Sequence, residues 1–153
     1  MSTLSRSFLS GAVGAAVLTR VHEVARRFVP GAPRMDVIGA RGLDRVLGAA
    51  GLARPRGRRG YAATLAGDLV SNTAWYALVG WGRAAHPMRR GLLLGLAAGA
   101  GAVVLSPALG LGQRPVARAA WTPWMTVAWN GLGGLAAGLA LRRLDRRAAL
   151  AVA

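Results

Sequence analysis

Cysteine and lysine are both absent from this chain of 153 residues, and only 5 residues are acidic. Without cysteine there are no disulfides, no thiolate nucleophile and no cysteine metal centre, and the redox compartment is left undetermined. Without lysine, all 20 basic residues are arginine. That bias is of the kind a GC-rich genome produces and implies no demand for a guanidinium at every site. The scarcity of carboxylates leaves a formal charge of +15. In a soluble chain this balance points to nucleic acid. Here the arginines flank apolar segments instead of forming one basic face, so the expected partner is anionic membrane lipid and not nucleic acid. Catalytic signatures are missing too: there is no nucleophile with a matching base, no phosphate loop and no nucleotide fingerprint. His22-Glu-Val-Ala-Arg26 lacks the second histidine of the His-Glu-x-x-His metal motif, and His86 falls in a different loop. No enzyme activity, metal or cofactor is expected.

What is present is apolar length. Residues 7–29, 61–82, 90–110 and 122–141 are mostly apolar, and each matches the roughly 20 residues that cross a bilayer as a helix. The pattern predicts an all-α, polytopic membrane protein with four transmembrane helices in two hairpins, a single membrane domain over residues 1–153. The first apolar stretch is preceded only by Arg6 and runs on into a charged helical continuation, so a retained span is expected and not a cleaved leader. Pro30-Gly31-Ala32-Pro33 then breaks the helix. Over residues 34–50, Met35, Ile38, Val46 and Leu47 alternate with Arg41, Asp44 and Arg45 at helical spacing, which predicts a short amphipathic helix in the interface. Residues 51–60, rich in arginine, glycine and proline, are expected to form a mobile basic linker. Arg41, Arg45, Arg58 and Arg59 are the expected headgroup contacts.

Each span has two faces. In the first, Val13, Val17, Val21, Val24 and Phe28 form an apolar side, opposite a stripe of Ser7, Gly11, Ala15 and Thr19. In the second, Tyr61, Thr64, Asp68, Ser71, Asn72 and Trp75 share one side, with Ala66, Val70, Ala77 and Trp81 opposite. Gly91, Gly95 and Gly99 form a double GxxxG in the third, and Gly134 and Gly138 follow Asn130 in the fourth. Gly11, Ala15 and these five glycines are the expected helix-packing positions, and homo-oligomers or a larger membrane complex could use the same faces. Thr122-Pro123 is expected to cap the fourth span, and Arg142, Arg143, Arg146 and Arg147 to stop it.

The third and fourth spans, with their glycine run, Ser106-Pro107-Ala108-Leu109-Gly110-Leu111, Pro115 and the later tryptophans, resemble small bacterial inner-membrane proteins of the YagU type. The resemblance implies a multi-pass protein of a bacterial inner membrane and supplies no activity. Arginines are nearly balanced between the two sides of the predicted topology, so the positive-inside rule does not orient it.

Charge inside the spans is the remaining signal. Glu23 and Asp68 fall at matching depths in an antiparallel hairpin, roughly 9–10 Å inside one face at 1.5 Å per residue. His22, Arg20 and Asn72 lie nearby on the same two helices, and Thr126, Asn130 and Ser106 belong to the same half. Glu23 can reach Arg20 or Arg27 along its own helix, and an arginine of the first span can meet Asp68 across the hairpin. One reading is a salt-bridge network that only locks the two helices together. The other is a one-sided polar pocket in which Glu23, Asp68, Asn72, His22 and Arg20 bind or conduct a small ion, a proton or a polar solute. The competing function is a non-catalytic scaffold or accessory subunit that docks partner helices and anionic lipid.

Overall fold

Five α-helices make the fold, and no strand occurs among the described residues, which in this computed structural model are 1–53, 55–82, 85–113 and 115–151. Helix α1, Thr3–Phe28, is capped by Ser2, whose hydroxyl accepts from the Ser5 amide at 3.1 Å, and ends where Val29 turns extended ahead of Pro30. Helix α2, Met35–Ala49, forms despite Gly39, Gly42 and Gly48. Helix α3, Gly57–Ala77, continues into a 3-10 turn at Leu78–Gly80. Helices α4, Pro87–Ala108, and α5, Thr122–Leu150, both carry proline in the first turn, where its missing N–H leaves no bond unmade.

Several boundaries differ from the sequence expectation. Residues 57–60 of the expected linker form the first turn of α3, so Arg58 and Arg59 sit on a helix. Arg54 of that linker, like Arg83 and Arg114 in the other loops, lies outside the described residues. The four arginines expected to stop the last helix do not: α5 runs two further turns, since arginine is itself a good helix former. Asp145, in those turns, pairs with Arg6 at 2.9 Å and joins the far end of α5 to the start of α1. Thr122 does not cap α5 by the usual side-chain bond. It is the first helical residue, and its hydroxyl donates to Gly31 O at 2.7 Å while accepting from the Ala119 amide at 2.9 Å.

The four long helices pack antiparallel. α1 lies between α3 and α5, α4 covers the other side of α5, and α2 rests on α3. Backbones meet where side chains are smallest. A Cβ on Gly91 would fall on Gly134 O and on the Gly138 amide, one on Gly95 on Asn130 O, and one on Gly99 on Val127 Cα at 2.6 Å. On α1, Gly11 faces Thr73 and Ala77 of α3, Gly14 faces Gly133 and Ala137 of α5, and Ala15 is fully buried. The glycine faces offered above for oligomers are thus occupied inside one chain, because α4 and α5 use both of theirs on each other. The second-span face is also turned from its expected position. Tyr76 and Val79 are fully buried and Ala77 packs against Gly11, while Ser71 and Trp75 are exposed.

The interior mixes apolar and polar side chains, and many large apolar ones lie outside. Ser7, Ser10, His22, Thr64, Ser106, Thr126 and Asn130 are buried, whereas Phe8, Val24, Phe28, Val70, Trp81, Val104, Leu105 and Trp124 are exposed. Among the described residues, α4 is the one helix both long and apolar enough to cross a membrane by length and composition. The others are diluted by the arginines of α1 and α5, by glycine, and by Asp68, Ser71 and Asn72 of α3.

At one end the loops are tied together. Besides the Thr122–Gly31 bond, Trp121 Nε1 donates to Pro30 O at 3.4 Å and the Arg34 amide donates to Pro115 O at 2.8 Å. Arg45 and Arg41 of α2 donate to the carbonyls of Leu109 and Leu111 at the end of α4. These arginines were expected to face lipid phosphate. They remain exposed, yet their guanidinium groups satisfy carbonyls that the end of a helix leaves bare.

Candidate functional site

The end of the bundle closed by α2 contains a cavity of about 30 Å³ between α1, α2 and α3. Thr19, His22 and Glu23 enter it from α1, Met35 and Asp36 from α2, and Tyr61, Thr64, Leu65 and Asp68 from α3. Helical spacing explains each set. Thr19, His22 and Glu23 are three and four residues apart on one side of α1, and Tyr61, Thr64, Leu65 and Asp68 repeat the same interval on α3. α2 reaches α3 through Gly39, where a Cβ would sit 2.8 Å from the Thr64 methyl. Three of the chain's 5 acidic residues thereby converge on one small space.

Two of those carboxylates are neutralised locally. Glu23 Oε2 accepts from Arg26 Nη2 at 2.7 Å, and the same nitrogen lies 3.1 Å from the Tyr61 hydroxyl, with the guanidinium 5.6 Å above the Tyr61 ring. Asp36 takes a two-point grip from Arg34, Nε at 2.8 Å and Nη2 at 2.7 Å, the geometry that suits arginine to carboxylate. Asp68 differs. Its Oδ1 accepts from Asn72 Nδ2 at 3.0 Å, that amide also reaches the Asp68 backbone carbonyl at 2.9 Å, and no cation pairs with it among the described residues. His22 is 8% exposed and tilts against Trp129 with ring centres 5.5 Å apart. Its Nε2 and the Thr19 hydroxyl are buried without a hydrogen-bond partner.

The cavity joins His22, Glu23 and Asp68, with Asn72 one bond behind. Arg20 is not part of it. It is exposed and borders an apolar groove with Val21, Val24, Phe28 and Trp129 on the other side of α1. Glu23 chooses Arg26 over Arg20 and Arg27 because Tyr61, across the helix pair, offers that one guanidinium both a hydroxyl and a ring face. The expected arginine bridge to Asp68 is replaced by the Asn72 amide. Asp36, Thr19, Tyr61 and Thr64 were not among the expected site residues. Asp36 had one visible signal, namely that carboxylates are so scarce here that each deserved placing.

Asp36 lies outside the four long helices and its ionisation carries a prediction. The hydrogen bond and charge of Arg34 hold its carboxyl below the usual carboxylate range, outweighing the opposite effect of partial burial. A group depressed in the folded state stabilises it above the ordinary carboxyl range, and that contribution is lost as pH falls through the depressed value. Amide protection over the first turn of α2, taken as exchange relative to the intrinsic rate at each pH, is therefore expected to be high at neutral pH and to fall on acidification through the carboxyl range. Asp36→Asn should show low protection throughout, without that fall.

Comparison with protein-family models, curated proteins and solved structures finds no match to this chain.

Proposed function

We propose that this chain is a multi-pass protein of a bacterial inner membrane, crossing it with α1, α3, α4 and α5 and laying α2 in the interface, and that it binds a small ion or proton in the cavity between α1, α2 and α3. The observation that carries this reading is the exterior. Phe8, Val24, Phe28, Val70, Val104 and Trp124 face outward, while Ser10, His22, Thr126 and Asn130 are enclosed beside Leu18, Tyr76 and Val79. In water such an exterior would expose far more contiguous apolar surface than a soluble monomer tolerates. In hydrocarbon it costs nothing, and small residues are what bring helices together there. The lower hydropathy of α1 and α5 is compatible with this role because Ser7, Ser10 and His22 of α1 and Thr122, Thr126 and Asn130 of α5 point inward.

Within that setting an ionisable group enclosed by helices is expensive unless paired. Arg26 and Arg34 pair with Glu23 and Asp36, which leaves Asp68 as the one carboxylate of the cavity carrying an uncompensated charge. A site with one negative charge and about 30 Å³ of space suits a single small cation or a proton and excludes a metabolite-sized solute. Proton and ion flux into liposomes is the test, with wild type and Asp68→Asn compared at matched oligomeric state. Flux in the wild type that disappears in a well-assembled Asp68→Asn supports the reading. Absence of flux and of ligand binding in both would favour the scaffold function instead.

A further inference from the structure

We propose that the ligand of this cavity is a proton, relayed between Asp68 and His22 through one enclosed water molecule. The inference rests on the ion-site reading above and names its ligand. About 30 Å³ exceeds the roughly 10–15 Å³ that a cavity needs to hold one water molecule, and such a water is retained when two to four polar groups bind it. Three groups of the residues around it lack a full set of partners. His22 Nε2 and the Thr19 hydroxyl are buried and otherwise unpartnered, and Asp68, with only the Asn72 amide on its Oδ1, has acceptor capacity to spare. All three line the same cavity.

The donor set argues against the alternatives. Calcium and magnesium require six or more oxygen ligands, and among the described residues no three His, Asp or Glu side chains are placed to hold one metal ion. Imidazole suits transition metals and offers little to an alkali cation. With Glu23 and Asp36 already paired, the charge left is that of a single carboxylate, which one proton cancels. The step balances without any further reactant. The Asp68 O–H bond breaks and its proton passes to the water, while that water gives one of its own protons to His22 Nε2. Asp68 is left as carboxylate, the water is restored, and the imidazole becomes imidazolium. For Nε2 to accept, the neutral ring carries its hydrogen on Nδ1. Tyr61 and Asp36 stand at the α2 side of the cavity, where the proton would enter from the loop end of the bundle.

Infrared difference spectroscopy on the full-length protein in liposomes tests this, by following the carboxylic-acid C=O band through a pH titration with and without added sodium, potassium or magnesium chloride. One band is expected to belong to Asp68. It should vanish in Asp68→Asn, survive in Glu23→Gln and Asp36→Asn, and be insensitive to the salts. In His22→Gln the band should remain, while its hydrogen–deuterium exchange slows by about a hundredfold, the lower end of what a positioned acid–base group contributes. Asp68→Ser provides the same readout if the asparagine variant fails to assemble. Bands from Glu23 or Asp36 with none from Asp68, or exchange unchanged in His22→Gln, overturn the relay. Displacement of the Asp68 proton by one of the cations overturns it too, but leaves the small-ion site standing. No Asp68 band and no cation effect would remove both.

Discussion

Gly134→Val should unfold the protein, not merely loosen it. The glycine faces Gly91 backbone to backbone: a Cβ on either residue lands on the other's carbonyl oxygen, and one on Gly134 would also sit 3.0 Å from Gly95 N. Overpacking a well-filled core costs about 1–3 kcal/mol when side chains can shift. Here no side chain stands in the way, so α4 and α5 must separate along their whole contact and the cost lies at or above the top of that range. Denaturation of the purified protein, followed by circular dichroism, should show the loss. Gly91→Val should match it, since the two positions share one contact. Gly67, in the middle of α3 with nothing within 4 Å of its missing Cβ, is the control. Gly67→Ala should be neutral or stabilise by up to about 1 kcal/mol through helix propensity. Should Gly91→Val change the oligomeric state with each protomer still folded, the glycine face would belong between chains and not within one.

The second large effect is at Tyr76. Its ring is fully buried where three helices meet, with a Cβ on Gly14 of α1 predicted 3.2 Å from Cδ2, and its hydroxyl donates to Asn130 O of α5 at 2.9 Å. Tyr76→Ala should cost about 3–5 kcal/mol, the range for emptying a buried aromatic site. Tyr76→Phe should cost only about 1 kcal/mol, because the ring stays and one hydrogen bond goes. The ratio between the two, measured in the same denaturation series, separates packing from hydrogen bonding at this junction. A phenylalanine variant as damaged as the alanine one would mean that the hydroxyl, and not the ring, holds α3 to α5.

How far these features could be read in advance depends on what determines each of them. The two sides of α1 are visible in its spacing, since a valine every third or fourth residue faces outward over most of the helix. The inward side of α3 is not so visible. Polarity suggested Trp75 inside and Ala77 outside, whereas close approach to Gly11 favours the small Ala77. Trp75, still partly exposed, reaches sideways to donate to Leu94 O at 3.0 Å. In a helix pair this rich in glycine, size and not polarity sets the contact face. Arg26 as the partner of Glu23 was equally hidden, because spacing along one helix admits several arginines and only Tyr61 on another helix decides among them. Asp36 joins His22 and Asp68 solely through the docking of α2, a tertiary fact with no trace in local sequence. Arg20 misled for the converse reason: it is near Glu23 in the chain and on the wrong side of the helix.

The tie between Thr122 and Gly31 spans 91 residues of chain, and the same interval sets the order of assembly. α1 is synthesised long before α5, yet α5 supplies the surface on which Gly14, Leu18 and His22 come to rest. Until then the early half of the protein must survive with α2 and α3 as the cover of α1, one flank of α1 still bare. Closure over so long a loop is costly in entropy and slow, which makes the arrival of α5 the expected rate-limiting event in folding. Variants that weaken the α1–α3 contact at Gly11 should therefore reduce yield during biosynthesis more than they reduce the stability of the finished molecule.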